Sequence, residues 1–306
     1  MDVCILLSTC DRYSYLVALT LRLLDLRWKE HPPIYVCGIS SAFSREAAFL
    51  PLMNDPRDWI GIVESAAGQL LGKGYRQCYL ILDDHPPLQS CNVLHLNVTL
   101  PALMDTLGAA YIGLYGWDQN ALSNGEVMNA GYYRLQHQSD SFLWRYSLHP
   151  ALWNLKALQA ITRLLPITDS DLASRSVWAF ERRSGVLSSD SLAEWSRKSY
   201  RVFGLGMLGE RFQLTRRFSR RMMYQIINLL DTIIKKVSGP AAQEKFIEFV
   251  AAETLFFDGP YPLYWSGVMQ KGRLNANFEK YLTLHRRESE LSLFREALRG
   301  APPGSI

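Results

Sequence analysis

The 306 residues carry 33 Lys and Arg against 29 Asp and Glu, a net charge of +4, with 48% hydrophobic and 20% charged residues. This is globular composition with room for a full core and a second subdomain, and the charge is too mild to make nucleic acid a partner. No run of about 18 apolar residues occurs, so no membrane-spanning helix is predicted. Cys4, Cys10, Cys37, Cys78 and Cys91 lack C-x-x-C spacing and fall mostly in apolar runs, the pattern of reduced core thiols. With no basic stretch ahead of the first apolar run, the expected location is the cytoplasm.

From Asp2 to about Tyr115, short apolar runs alternate with amphipathic stretches, the signature of βαβ units. Val3 to Leu7 reads as a strand, Tyr13 to Trp28 as a helix, and Pro33 to Ile39 as a second strand. Asp58 to Leu71 is a helix feeding the run Tyr79-Leu80-Ile81-Leu82-Asp83-Asp84-His85-Pro86-Pro87. The prolines stop that strand, so Asp83 and Asp84 are expected at its carboxyl end, where open α/β sheets bind ligands. Adjacent carboxylates repel, and a divalent cation or a network of sugar hydroxyls relieves that repulsion. The bland alternative is two solvated aspartates, one of them a helix cap. Leu94 to Leu107 is a helix despite Pro101, and Ala110 to Leu114 a short strand.

Residues 116–190 break the doubly wound pattern. Tyr132 to Leu135 and Phe142 to Leu148 are aromatic, β-prone runs that predict an antiparallel hairpin, and His149 to Asn154 then turns into a helix reaching Leu165. Asp169 to Asp171 cap a helix carrying Trp178, Phe180 and Glu181. After Ser188 the pattern is helical: Arg216 to Lys236, Ala241 to Leu255 and Asn277 to Leu298. These readings divide the chain into a catalytic domain over 1–200 and a helical subdomain over 201–306.

Four features occur in order: Ser8-Thr9-Cys10-Asp11-Arg12 after the first strand, the Asp83-Asp84 strand end, Ser147-Leu148-His149-Pro150-Ala151-Leu152-Trp153-Asn154, and Val177-Trp178-Ala179-Phe180-Glu181. Over residues 1 to about 185 the chain resembles bacterial nucleotide-sugar-dependent glycosyltransferases of the GT-A kind, polysaccharide-synthesis enzymes with S-L-x-P-x-x-W-N and W-x-F-E motifs. It departs from their D-x-D pattern, since its aspartates are adjacent and followed by His85. The resemblance implies a fold of the α/β class, a GT-A-like Rossmann-type mostly parallel sheet with an antiparallel hairpin insertion and a C-terminal helical subdomain. It implies a nucleotide-sugar donor and a saccharide or lipid-linked saccharide acceptor. Asp84 would hold a divalent cation, Mn or Mg, with Asp83 on that ion or on ribose. Thr9, Asp11 and Arg12 would grip the nucleotide.

Glu181 is the expected general base for an inverting transfer, with aromatic neighbours suited to sugar. The alternative packs Trp178 and Phe180 into the core and pairs Glu181 with Arg182 or Arg183. Asp11 serves equally as a helix cap, and Arg12 as a surface charge. His149 is a metal ligand, an acceptor hydrogen-bond donor or a satisfied buried histidine, the last favoured by base rate. Trp153 and Asn154 are expected to pack and cap the sugar pocket rather than do chemistry.

Gly204-Leu205-Gly206-Met207-Leu208-Gly209 matches G-x-G-x-x-G, but no strand follows, so it reads as a loop between subdomains. Gly68 to Lys73 lacks P-loop spacing and reads as a helix end. Arg211, Arg216, Arg217, Arg220 and Arg221 precede a long apolar periodicity ending in Lys235-Lys236. That is a basic amphipathic helix, either packed on the catalytic domain or lying on the inner membrane face. Tyr261 to Trp265 is an aromatic loop that either covers the site rim or anchors the helical part. The competing classes are a non-catalytic glycan-binding or nucleotide-binding module and a Mg-dependent nucleotidyltransferase.

Overall fold

The computed structural model describes residues 2–40, 47–114, 127–130, 133–137, 146–165, 175–184, 199–203, 220–254, 256–257, 259–270 and 272–299. In chain order the elements are β1 (Val3–Ser8), α1 (Tyr15–Arg27), β2 (Ile34–Cys37), β3 (Ala48–Phe49), α2 (Trp59–Gly72), β4 (Gln77–Leu82), α3 (Leu100–Leu107), β5 (Tyr111–Gly113), β6 (Val127–Ala130), β7 (Tyr133–His137), β8 (Ala151–Asn154), α4 (Leu155–Leu164), α5 (Val177–Ser184) and β9 (Ser199–Phe203). Then come α6 (Arg220–Ser238), α7 (Pro240–Thr254), β10 (Phe256–Phe257), β11 (Leu263–Tyr264), β12 (Met269–Gln270), β13 (Arg273–Leu274), α8 (Ala276–Leu284) and α9 (Glu288–Arg299).

The chain adopts the expected α/β class. Nine strands form one sheet in the order β3-β2-β1-β4-β8-β5-β9-β7-β6. Strands β3, β2, β1 and β4 are parallel, whereas β8 runs antiparallel to both β4 and β5. The sheet is buried on both faces, which is why β1 and β4 are apolar without alternation. Val3, Ile5, Leu7, Tyr79 and Ile81 pack on the side of α1 and α3, while Cys4, Leu6, Cys78 and Leu80 pack on the side of α2, α4 and α5. Four of the five cysteines are buried and all are free thiols.

Several boundaries differ from expectation for local reasons. The hairpin pairs Tyr133–His137 with the preceding Val127–Ala130 and with Ser199–Phe203; residues 138–145 lie outside the described set. The region after Ser188, expected to be helical, contains β9, parallel to β5 and antiparallel to β7. Residues 151–154 form a strand rather than a first helical turn, so Pro150 precedes β8 and Asn154 caps α4. Pro101 is accommodated because a π-helical turn over His95–Thr99 precedes α3, leaving it in that helix's first turn. The expected helix from Asn277 to Leu298 breaks in two at Arg286, whose φ of 52° no glycine announces. Gly68 to Lys73 does end a helix, as expected. The G-x-G-x-x-G segment, the cap at 169–171 and residues 211–219 lie outside the described residues.

The C-terminal elements share a core with the first helix. Leu16, Leu19, Leu23 and Leu88 pack with Phe256, Tyr264, Val268, Met269, Phe278, Tyr281, Leu282 and Phe294. This brings the turn after β11 back onto the strand ends, across about 180 residues of sequence.

Asp58 shows how the sheet's helices are held. Its Oδ1 accepts the Gly61 N–H at 2.8 Å as the N-cap of α2 and also pairs with Arg175 ahead of α5. Both side chains are mostly buried, at 11% and 15% exposure. Asp58→Ala therefore loses a cap and strands a buried guanidinium, an expected cost of about 3 kcal/mol or more. A urea midpoint equal to wild type would contradict this.

Candidate functional site

Parallel pairing of β1 with β4 sets Ser8 opposite Leu82, so Thr9 and Asp83 emerge side by side at the carboxyl edge. Asp83 N–H donates to the Ser8 carbonyl at 3.1 Å, continuing the ladder one residue beyond the strand. The Thr9 hydroxyl donates to Asp83 Oδ2, and the Thr20 hydroxyl of α1 donates to the Asp83 carbonyl at 2.8 Å. Asp83 is thus buried and braced from two elements, with 8% exposure. Burial first, and the charge of Asp84 second, push its carboxyl up to about 8, while the Thr9 hydrogen bond pulls the other way.

Asp84 is the more open of the pair. Its side chain is 28% exposed, and Oδ1 accepts from His85 Nδ1 at 2.7 Å. His85 closes a tight turn by donating its N–H to the Leu82 carbonyl at 3.0 Å. Burial pulls the His85 ring toward its neutral form. The Asp84 charge and hydrogen bond, with a Trp265 carbonyl, more than offset this and hold the ring toward the protonated form. His85 Nδ1 donates to the Asp84 carboxylate, and its Nε2 lies 3.4 Å from the Trp265 carbonyl.

Reversal of direction at β8 decides the place of the S-L-x-P-x-x-W-N segment. Ala151 lies opposite Leu80 and Asn154 opposite Gln77, so His149 falls at the carboxylate edge and Asn154 at the far edge. The six-residue separation of Gln77 from Asp83 is about 20 Å of strand. Asn154 is therefore not a pocket residue: its side chain caps α4, accepting from Lys156 N–H at 3.0 Å and Ala157 N–H at 3.2 Å. Trp153 is likewise displaced from the expected pocket. It is fully buried among Tyr111, Tyr146 and Phe180, on the sheet face that α2, α4 and α5 cover.

Glu181 lies on α5 and is 9% exposed. Its Oε1 accepts the Leu148 N–H at 2.8 Å and the Ser147 hydroxyl at 3.2 Å. Ser147 Oγ lies 2.5 Å from His149 Nδ1, and His149 Nε2 donates to the Trp265 carbonyl at 2.8 Å. The same carbonyl lies 3.4 Å from His85 Nε2. A connected polar path thus runs from Glu181 through Ser147, His149, Trp265 and His85 to Asp84. The Ser147 hydroxyl carries one hydrogen, so it donates either to Glu181 or to a neutral His149 Nδ1.

Phe180 packs between Trp59 and Trp153, but Trp178 is 67% exposed, so the alternative that buried both in the core holds for Phe180 only. Asp11 is not a helix cap: its Oδ1 accepts from the N–H of Ser40 at 2.9 Å and from its hydroxyl at 3.1 Å, tying the loops after β1 and β2. Gly38 permits that approach, since a Cβ there would meet the Thr9 carbonyl at 2.0 Å. Arg12 is exposed, its guanidinium 5.6 Å from the Tyr13 ring centroid.

Sequence reasoning did not select His85, Ser147, Thr20 or Trp265 as site residues. The histidine after the carboxylate pair and the serine opening S-L-H were the available signals. Nothing local points to Trp265, whose loop packs both on His85 and Asp84 and into the cores through Tyr261, Leu263 and Tyr264. Tyr261 donates its hydroxyl to the His85 carbonyl at 2.9 Å, and Val268 N–H donates to the Asp84 carbonyl at 2.8 Å. Gly267, at φ 73°, lies so close to Asp84 that a Cβ would meet Oδ2 at 2.6 Å.

No protein-family model and no curated protein matches this chain. A solved structure, the mannose-1-phosphate geranyltransferase from Thermus thermophilus, is similar over 67% of this chain and 74% of that chain, at 14% identity and a TM-score of 0.31. So loose an overlap says nothing about what this chain binds or transforms.

Proposed function

We propose that the protein is a GT-A-type glycosyltransferase, moving a sugar from a nucleotide-sugar donor to a saccharide acceptor with inversion. The observation that carries this reading is the polar path joining the carboxylate pair to Glu181 along one sheet edge. A leaving diphosphate and an acceptor hydroxyl need charge stabilisation on one side and a proton acceptor on the other. The path supplies both kinds of group. A nucleotidyltransferase needs the carboxylate pair but has no comparable use for the Glu181 arm.

A divalent cation fits this edge as an ion shared with substrate. Among the described residues no three His, Cys, Asp or Glu converge to cage a metal. Two adjacent carboxylates, one already raised to about 8 by burial and its neighbour's charge, suit a Mg or Mn that completes its shell with phosphate oxygens. Asp83 and Asp84 would hold it, and it would neutralise the departing diphosphate. In this reading Thr9 and Thr20 keep Asp83 in register, Ser40 holds Asp11 on the nucleotide side, and Glu181 accepts the acceptor's proton. The test is a thermal-shift screen of UDP-, GDP-, dTDP- and CMP-sugars with and without Mn²⁺ or Mg²⁺. A donor at about one hundred times its Kd adds about 2.7 kcal/mol of stability. Stabilisation by nucleoside triphosphates alone would instead favour nucleotidyl transfer.

The acceptor in this reading is lipid-linked. Among the described residues no helix is long and apolar enough to cross a membrane. Helix α6 nevertheless exposes Ile226, Leu229, Leu230, Ile233 and Val237 along one stripe, with Lys236 beside it and Lys235 on the opposite face. An apolar stripe bordered by a cation matches an anionic bilayer surface, the lysine contributing about 1 kcal/mol there. Lys236→Gln should weaken association with phosphatidylserine vesicles at low salt by about fivefold. Wild-type protein that stays free of such vesicles would make the acceptor a soluble saccharide.

A further inference from the structure

We propose that the Trp265 indole is a carbohydrate-stacking platform at the carboxylate edge, receiving the C–H face of a neutral hexopyranose. The proposal rests on the transferase reading only for the reaction that the bound sugar enters. Its neighbours Tyr261, Leu263, Tyr264 and Val268 are at most 1% exposed, yet Trp265 is 37% exposed. The turn presenting it is held from several sides. Gly267 N–H donates to the Tyr264 carbonyl at 3.0 Å, placing Trp265 at the second position of the turn. Asn275 Nδ2 donates to Ser266 Oγ at 2.8 Å and to the Gly267 carbonyl at 3.2 Å, and Val268 N–H reaches the Asp84 carbonyl. The Trp265 carbonyl itself takes His149 Nε2 and lies within reach of His85 Nε2.

The ring's orientation is fixed as well. The indole lies parallel to the His149 imidazole, centroids 5.8 Å apart and planes 9° from coplanar. One aromatic is thus braced by another, immediately beside the Asp84 carboxylate against which its turn packs. A pyranose has C–H bonds on its faces and hydroxyls around its rim, so it needs a flat apolar surface next to charged acceptors. Trp265 offers the surface, and the partly exposed Asp84 carboxylate the polar group. Because turn and ring are already ordered, little conformational entropy is lost on binding. The preferred ring is a hexopyranose with one face free of axial hydroxyls.

The test uses the 306-residue chain and saturation-transfer NMR with methyl glucosides, methyl galactosides, cellobiose and lactose. Wild type and Trp265→Phe should transfer saturation to ring C–H protons of at least one of these sugars with Kd values within about threefold of each other. Trp265→Ala and Trp265→Leu should weaken that sugar at least tenfold, about 1.4 kcal/mol. The hydrogen bonds that hold the turn involve residue 265 only through its backbone carbonyl, so all four proteins should melt alike. Equal binding by wild type and the Ala and Leu variants, or no binding of any of these sugars by wild type, overturns the platform. Equal loss in the Phe variant does so too. Sugar binding that depends on Trp265 in a protein that no nucleotide sugar stabilises keeps the platform and removes the transferase reading.

Discussion

Asp83→Asn and Asp84→Asn should each cut transfer by at least about 10²–10³-fold, the loss expected when a group stabilising developing charge is removed. The two variants should differ in stability. Asp83 is buried, and its carboxyl is raised from its usual value near 3.8 to about 8. Between those pH values the folded chain keeps a proton that the unfolded chain has released, so stability falls as pH rises through that window. Asparagine cannot ionise, yet its Oδ1 still accepts from the Thr9 hydroxyl. Asp83→Asn should therefore remove this slope and be more stable than wild type at pH 8, by an amount on the order of a few kcal/mol in metal-free buffer. Asp84 is partly exposed and holds His85, so Asp84→Asn should give no comparable gain. Urea midpoints at pH 5 and pH 8, with turnover of the donor that the screen selects, check both. An Asp83→Asn protein that turns over donor like wild type would remove the pair from the site.

Glu181→Gln should lower turnover by about 10²–10⁴-fold, the range of a general base. The fold should survive, because glutamine Oε1 still accepts from Leu148 N–H and Ser147 Oγ, the two donors to the native carboxylate. Donor binding should also survive, since the Asp83 edge is untouched, so the thermal shift with donor should match wild type while turnover collapses. The product anomer should be opposite to the donor's. Retained configuration in the product's NMR spectrum would sink the assignment of Glu181.

The strand ending at Asp83-Asp84 was legible because a fully buried parallel strand is apolar throughout and two prolines stop it. The helix over Asp58 to Leu71 was nearly as clear, with its cap at Asp58. Strand β9 was not, since five residues paired to β5 and β7 leave no periodicity that distinguishes them from helix. Trp153 and Asn154 were misplaced because their motif was read as a turn into a helix. In a strand, neighbouring side chains point to opposite faces, and antiparallel pairing carried the end of the motif away from the site.

Local pattern by itself determined the α/β class, the carboxylate pair at a strand end and the aromatic-flanked glutamate, because each depends on residues adjacent in the chain. Only the tertiary structure decided which of these share an edge. The direction of β8 set His149 beside the aspartates and Asn154 about 20 Å away. The packing of Leu16, Leu19 and Leu23 against the C-terminal core returned Trp265 to His85 across 180 residues. Contacts of that separation are formed by buried apolar area summed over many residues, and no short window of sequence records them.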